Sequence, residues 1–236
     1  MTNDASNPAP IVRLDQVEKT YQQGKIEVKA LRGLDLTVRP GEFMALIGPS
    51  GSGKTTALNI IGGLDRPTRG SVKVEGRDLA TMSRGELSRM RRDRIGFVFQ
   101  AYNLVPVLTA YENAEMVLRL QGTPVAERRD AVMSLLKDVG LEGMEHRRPS
   151  EMSGGQQQRV AIARAIASKP AVTLADEPTA NVDSSTAEML LELMERLNEE
   201  RGVTFIFSTH DPRVMDRAHR IVRLVDGKVD SDETKG

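Results

Sequence analysis

The chain has 236 residues, with 39% hydrophobic and 28% charged residues, the composition of an ordinary globular protein with one large core. Lys+Arg and Asp+Glu balance at 33 each, which argues against a dedicated nucleic-acid binder; the densest basic run, Arg89 to Arg94, reads as a solvated helix face. There are no cysteines, which excludes disulfides, thiolate metal sites and cysteine nucleophiles, and no apolar run approaches the ~18 residues of a membrane span.

Residues 1–10 are polar and proline-bearing, with no basic start and no apolar middle, and read as a flexible lead-in. "IVRLDQVEKTY" and "IEVKALRGLDLTV" alternate in the strand manner around a turn at Gly24. After the turn signal Pro40-Gly41, the short apolar run "EFMALIG" predicts a buried strand and "KTTALNIIGGL" a helix ending at glycines. "SVKVEG" is a strand, "SRGELSRMRRD" a helix and "IGFVFQ" a second buried strand. Strand signals then vanish from about Ala101 to Lys169, where three helical segments follow one another. Strands "AVTLAD" and "VTFIFST" bracket the amphipathic helix "STAEMLLELMERLNEE", and "HRIVRLVDGKVD" closes the chain as a hairpin around Asp226-Gly227. This order predicts an α/β fold with a mainly parallel sheet, an N-terminal antiparallel β-subdomain and a helical insertion.

The stretch Gly48-Pro49-Ser50-Gly51-Ser52-Gly53-Lys54-Thr55 matches the P-loop pattern G-x-x-x-x-G-K-[ST], between a predicted strand and a predicted helix that opens with Lys54, Thr55 and Thr56. Glycines let backbone N–H groups close on a polyphosphate, and the helix N-terminus adds partial positive charge. Lys54 is expected to reach the β- and γ-phosphates and the Thr55 hydroxyl to ligate Mg²⁺. Asp176 and Glu177 end a predicted strand at the edge where α/β sheets bind ligands. Asp176 is expected to hold Mg²⁺ through water, and Glu177 to orient or deprotonate the attacking water. Gln100, at the hinge into the helical insertion, is a candidate metal or water ligand. His210 follows a strand, where a structural role and a catalytic one weigh equally. Tyr21 alone reads as sheet packing. The segment Ser153-Gly154-Gly155-Gln156 begins an apolar helix with poor helix formers, and Ser153 stands at an N-cap position.

In order, Tyr21, "GPSGSGKT", Gln100, "MSGGQ", "LADEPT" with "NVD", and His210 resemble the nucleotide-binding subunits of ABC transporters. The resemblance runs from about Ile11 to Lys228, with two mild departures, Met152 for the leucine that opens the signature and Val182 for leucine in the D-loop. It implies a P-loop NTPase (RecA-like) core with the signature in the helical subdomain. The domain would span 11–232, with 101–169 helical, 11–100 and 170–232 the core and β-subdomain, and 233–236 a flexible end. Tyr21 would stack on adenine, Gln100 would be the Q-loop residue, His210 the switch histidine and Asp183 the D-loop residue. ATP would lie between one P-loop and the signature of a second copy, whose Gly154 and Gly155 amides would receive the γ-phosphate. "GLDRPTRG" and "FVFQAYNLVPVLTAYENAEMVLRLQG" resemble the branch of lipoprotein-release, macrolide-export and cell-division permease ATPases. That implies an ATPase using ATP and Mg²⁺, peripheral on the cytoplasmic face of the inner membrane through permease subunits, and not binding nucleic acid. Tyr102, Leu104, Val105 and Leu108 line the candidate docking surface, or else pack internally. A soluble ABC ATPase, for instance in metallocluster assembly, is the alternative class, and a regulator without turnover is a third.

Overall fold

The computed structural model describes residues 8–24 and 26–235. Most of the expected lead-in, residues 1–7, lies outside the described residues, as does Gly236. Two sheets share the chain. β1 (Val12–Gln23), β2 (Ile26–Val38), β4 (Arg69–Val74) and the two-residue β5 (Arg77–Asp78) form an antiparallel sheet in the order β2-β1-β4-β5. The second has the order β10-β9-β3-β8-β7-β6, built from β3 (Phe43–Ile47), β6 (Ile95–Phe99), β7 (Val172–Asp176), β8 (Phe205–Ser208), β9 (Arg220–Val225) and β10 (Lys228–Thr234). All its pairings are parallel except β9 with β10.

The central strand β3 is apolar at every position, and β7 and β8 are nearly so, because both of their faces are covered. On β3, Phe43, Ala45 and Ile47 enter one hydrophobic core, while Met44 and Leu46 enter another on the opposite face. β8 repeats this, with Phe205 and Phe207 on the first side and Ile206 on the second. Phe43 meets Phe205 edge-on, with ring centroids 5.7 Å apart. The second core lies between the two sheets and includes α1 (Lys54–Ile61) and α2 (Arg84–Arg94). The first is roofed by α3 (Ala110–Leu120), α4 (Val125–Asp138), α5 (Gly154–Ile166) and α6 (Ser184–Arg201).

The helix starts follow local chemistry. Ser83 with Glu86 and Thr109 with Glu112 close capping boxes at α2 and α3. Asn113 on α3 is buried and ties down the segment before it, accepting from Val105 N at 2.8 Å and donating to the Val105, Leu108 and Thr109 carbonyls. A six-residue helix, α7 (Pro212–Arg217), was not expected; it is too short to show periodicity, yet Asp211 caps it and Pro212 opens it. β10 runs to Thr234, Lys235 N donates to His219 O at 2.7 Å, and Lys235 Nζ caps the α7 carbonyls of Met215 and Asp216.

Candidate functional site

The P-loop joins β3 to α1 and is forced into shape by glycines that no other residue can replace. At Gly48, φ is +147°, and a Cβ would sit 2.1 Å from Leu224 O. At Gly53, φ is +102°, and a Cβ would sit 2.6 Å from Ala30 O. Gly51 also has positive φ, but nothing stands within 4 Å of its Cβ position, so the loop opens there toward a cavity.

That cavity is about 750 Å³ and is lined by the P-loop, α1's first turn, β2, Gln100, Glu177, Ser208 and His210. Gly48, Pro49, Ser50, Gly51, Gly53, Lys54, Thr55 and Thr56 all line it. Lys54 Nζ donates to the carbonyls of Gly48 (2.7 Å) and Pro49 (3.1 Å) and so stays inside the loop's curve. Thr55 Oγ1 donates to Asp176 Oδ1 at 3.3 Å, which pairs the two expected metal-holding oxygens from separate elements. Ser52 departs from expectation. It is buried beneath the loop, does not line the cavity, and its hydroxyl has no partner among the described residues.

Glu177 adopts φ +47°, a left-handed conformation costly for a residue with a Cβ. Its carboxylate is held at both oxygens. His210 Nδ1 lies 2.7 Å from Oε1, and Thr209 Oγ1 donates to Oε2 at 3.2 Å. Glu177 is mostly buried and His210 mostly exposed, so the pair runs from the sheet edge to the cavity surface. Gln100 donates to Asn181 Oδ1 at 3.3 Å, and Asn181 Nδ2 returns a bond to Gln100 O at 3.0 Å. Among the described residues, the Gln100 amide oxygen takes no protein donor.

Tyr21, Asp176, Asp183 and the signature residues, like Ser52, lie apart from the cavity lining. The Tyr21 hydroxyl donates to Asp65 at 2.8 Å, and the Lys19 ammonium stands 4.8 Å from its ring centre. Burial, then Asp65, push the Tyr21 phenol pKa up. The strand partner of Tyr21, Val28, is the residue that reaches the cavity, and sequence reasoning missed it. Asp183 spends its carboxylate as the N-cap of α6, accepting from the Ser185 and Thr186 hydroxyls and from Thr186 N. Those donors hold its pKa far below the usual carboxylate range. The signature, Ser153 to Gln156, is likewise not part of the lining.

The signature has its own local logic. Ser153 Oγ accepts from Gln156 N, and Gln156 Oε1 accepts from Ser153 N at 3.0 Å, which closes a capping box with glutamine in the usual glutamate place. No acidic residue is needed. The N–H groups of Gly154 and Gly155 have no acceptor among the described residues. The glycines also answer a steric demand. A Cβ on Gly155 would sit 2.3 Å from Thr186 Cγ2, and one on Gly154 would sit 2.7 Å from the Tyr102 hydroxyl. The glutamines that follow are each in use. Gln157 donates to Met152 O at 3.1 Å, and the buried Gln158 to Pro178 O at 2.7 Å. Met152 itself packs into the core below α5.

Tyr102, Leu104, Val105 and Leu108 are partly buried, with Leu104 packed on the core. An apolar groove of about 350 Å³ lies beside them, lined by Leu64, Phe97, Phe99, Met116 and Val117, with Arg91, Arg92 and Arg164 also in its wall. Phe97 and Phe99 stack there with centroids 5.5 Å apart.

A family model described as ABC transporter matches residues 31–180, from the strand before the P-loop through the signature to the carboxylates. This chain belongs to the ABC transporter family. It is 48% identical over 224 residues to a lipoprotein-releasing system ATP-binding protein LolD of Anaeromyxobacter dehalogenans, covering 94% of each. It is 47% identical to a macrolide export ATP-binding/permease protein MacB of Syntrophobacter fumaroxidans, with 94% of this chain matching only 31% of that one. The ATP-binding cassette MJ0796 of Methanocaldococcus jannaschii, solved as a dimer in a post-hydrolysis state bound to ADP and Pi, superposes with a TM-score of 0.86 at 45% identity, over 94% of this chain and 98% of that one. The chain is therefore an ABC ATPase of the LolD/MacB type. Among the described residues no helix is long and apolar enough to cross a membrane.

Asp211 links the turn after β8 to the loop after β7 by accepting from Thr179 Oγ1 at 2.9 Å, and Arg213 holds its carboxyl below the usual range. Such a depressed pKa contributes stability above the unfolded aspartate value near ~3.9, and that contribution is lost as pH falls through the folded value. Arg213→Ala therefore lowers the melting temperature at pH 7, and its difference from the wild type shrinks in melts below about pH 4. An equal difference at both pH values would contradict this role for Arg213.

Proposed function

We propose that this chain hydrolyses ATP as one half of a head-to-tail homodimer and drives a membrane permease of the lipoprotein-release or macrolide-export type. The observation that carries the reading is a separation. The P-loop cavity holds Lys54, Gln100, Glu177 and His210, whereas the open amides of Gly154 and Gly155 lie outside it. A second copy supplies them to the γ-phosphate, a helix N-terminus meeting developing negative charge.

Within one chain, the P-loop amides and Lys54 bind the β- and γ-phosphates. The donor set fits Mg²⁺: hard oxygens of Thr55 and Asp176 already within 3.3 Å of one another, with Gln100 at the cavity wall and phosphate oxygens to complete the shell. Bound there, Mg²⁺ would neutralise charge on the β- and γ-oxygens. The Glu177 carboxylate accepts the proton of the water attacking the γ-phosphorus, while His210 and Thr209 fix its orientation. As the bond to the β-phosphate oxygen breaks, Lys54 and the loop amides stabilise the charge left on it. Tyr21 or its strand partner Val28 faces the adenine. Asp183 acts through the D-loop, as the cap that sets the loop's exit into α6.

The groove beside Phe97 and Phe99 accepts a cytoplasmic helix of the permease, which places the chain on the cytoplasmic face of the membrane. Its apolar floor lies between the core strand β6 and the helices α3 and α5, so it deforms when these elements shift. Leu64, half exposed on the groove, is the place to test it. Leu64→Asp should abolish co-purification with an integral membrane protein from detergent-solubilised membranes and leave the isolated chain's ATPase activity unchanged; retained co-purification would move the docking site elsewhere.

For the composite site, Ser153→Arg should keep nucleotide binding by the monomer and lose turnover. Glu177→Gln should lose turnover by at least ~100-fold and accumulate an ATP-bound dimer visible in light scattering. Monomer binding lost in Ser153→Arg, or turnover retained in Glu177→Gln, would contradict the assignments.

A further inference from the structure

Helix α5 grips the loops around it at three levels. Near its C-terminal end, the partly buried Arg164 makes no ion pair among the described residues. It spends its guanidinium on two backbone carbonyls, Tyr102 O at 2.8 Å and Asn103 O at 2.5 Å. Both of those residues are left-handed, with φ of +59° and +49°, a bend that an unsupported pair of non-glycine residues would not hold. In mid-helix, the Gln158 amide nitrogen donates to Pro178 O at the start of the D-loop and lies 3.5 Å from Phe99 O, just before Gln100. At the N-terminal end, the Tyr102 hydroxyl donates to Asn181 O at 3.0 Å and sits against Gly154. Tyr102 is thus bonded to the D-loop by its phenol, held by α5 through its carbonyl, and two residues from Gln100.

We infer that Tyr102 is a positioning residue: its hydroxyl latches the D-loop and the signature helix to the loop carrying Gln100, so that the open signature amides and Gln100 move as one piece. The inference rests on the composite-site reading above, because only in that site do the signature and Gln100 serve different copies. Tyr102 does not line the cavity and touches no reacting group. Its effect passes through Asn181, which bonds Gln100 in both directions.

The geometry supplies a sharp test, since the atom that a Gly154 methyl would strike is the phenol oxygen itself. The next ring atom, Cζ, lies at 3.7 Å, an ordinary contact. Tyr102→Phe should lower kcat roughly three- to tenfold, the loss matching one hydrogen bond, with KM for ATP unchanged and the melting temperature lowered by only a few degrees. Amide exchange at 179–183 should quicken in the same variant. Gly154→Ala should impair turnover in the wild-type background and do much less harm in the Tyr102→Phe background, where the methyl has room. Additive losses, or a wild-type kcat in Tyr102→Phe, would overturn the latch. ATP-dependent dimerisation of the wild type, measured in parallel, keeps the two ideas apart. Its absence would remove the composite site, whereas additive losses in a chain that dimerises would remove only the latch.

Discussion

The close seating of α5 is the constraint on which the rest depends. The helix touches the sheet so closely that a Cβ on Gly96 of β6 would lie 2.4 Å from Ala165 O. At its other end it meets Thr186 and Tyr102 with no room for side chains at Gly155 and Gly154. Between these ends, Gln158 joins the helix to the exits of two adjacent parallel strands, β6 and β7. Those exits carry Gln100, Asp176 and Glu177. One helix therefore sets the height of the signature and the placement of the hydrolytic residues together. Packing at this density transmits small displacements because it cannot absorb them.

The same closeness explains why glycine is tolerated in a helix where it costs roughly 0.5–1 kcal/mol relative to alanine. Two demands converge on Gly154 and Gly155. Their amides have no acceptors among the described residues, and their Cβ positions are occupied by neighbouring atoms. The first demand fits an external anion. The second is internal and would exist without any ligand. The helix compensates for its weak start through its cap. Ser153 and Gln156 satisfy two backbone donors at the turn, and leave the glycine amides open.

Much of this was readable in the chain itself. The apolar runs that became β3, β7 and β8 are continuous because both faces are buried, and that continuity made them legible. The P-loop was legible because its backbone conformation admits only glycine at Gly48 and Gly53. Contacts between distant segments were not legible. Nothing local in "FQAYN" indicates that Tyr102 reaches Asn181, or that Arg164 turns inward to two carbonyls. The S-x-x-Q spacing at Ser153 already carries the capping box, with glutamine in the place glutamate usually takes. The Asp211-Pro212 pair likewise announced α7. Motif position put Ser52 in the P-loop and Asp183 in the D-loop. Their side chains, one capping α6 and one buried under the loop, reveal what motif position alone does not: a residue can shape a site without facing it.

Complementation between inactive chains tests most directly whether a second copy completes the site. Lys54→Ala removes the phosphate-binding lysine, and Ser153→Arg blocks the signature; each alone should be inactive. In a head-to-tail dimer of the two, one site combines the intact P-loop of the Ser153→Arg chain with the intact signature of the Lys54→Ala chain. Mixing the purified variants should restore ATP hydrolysis that neither shows alone. Mixtures as inactive as their components would contradict a site shared between two chains.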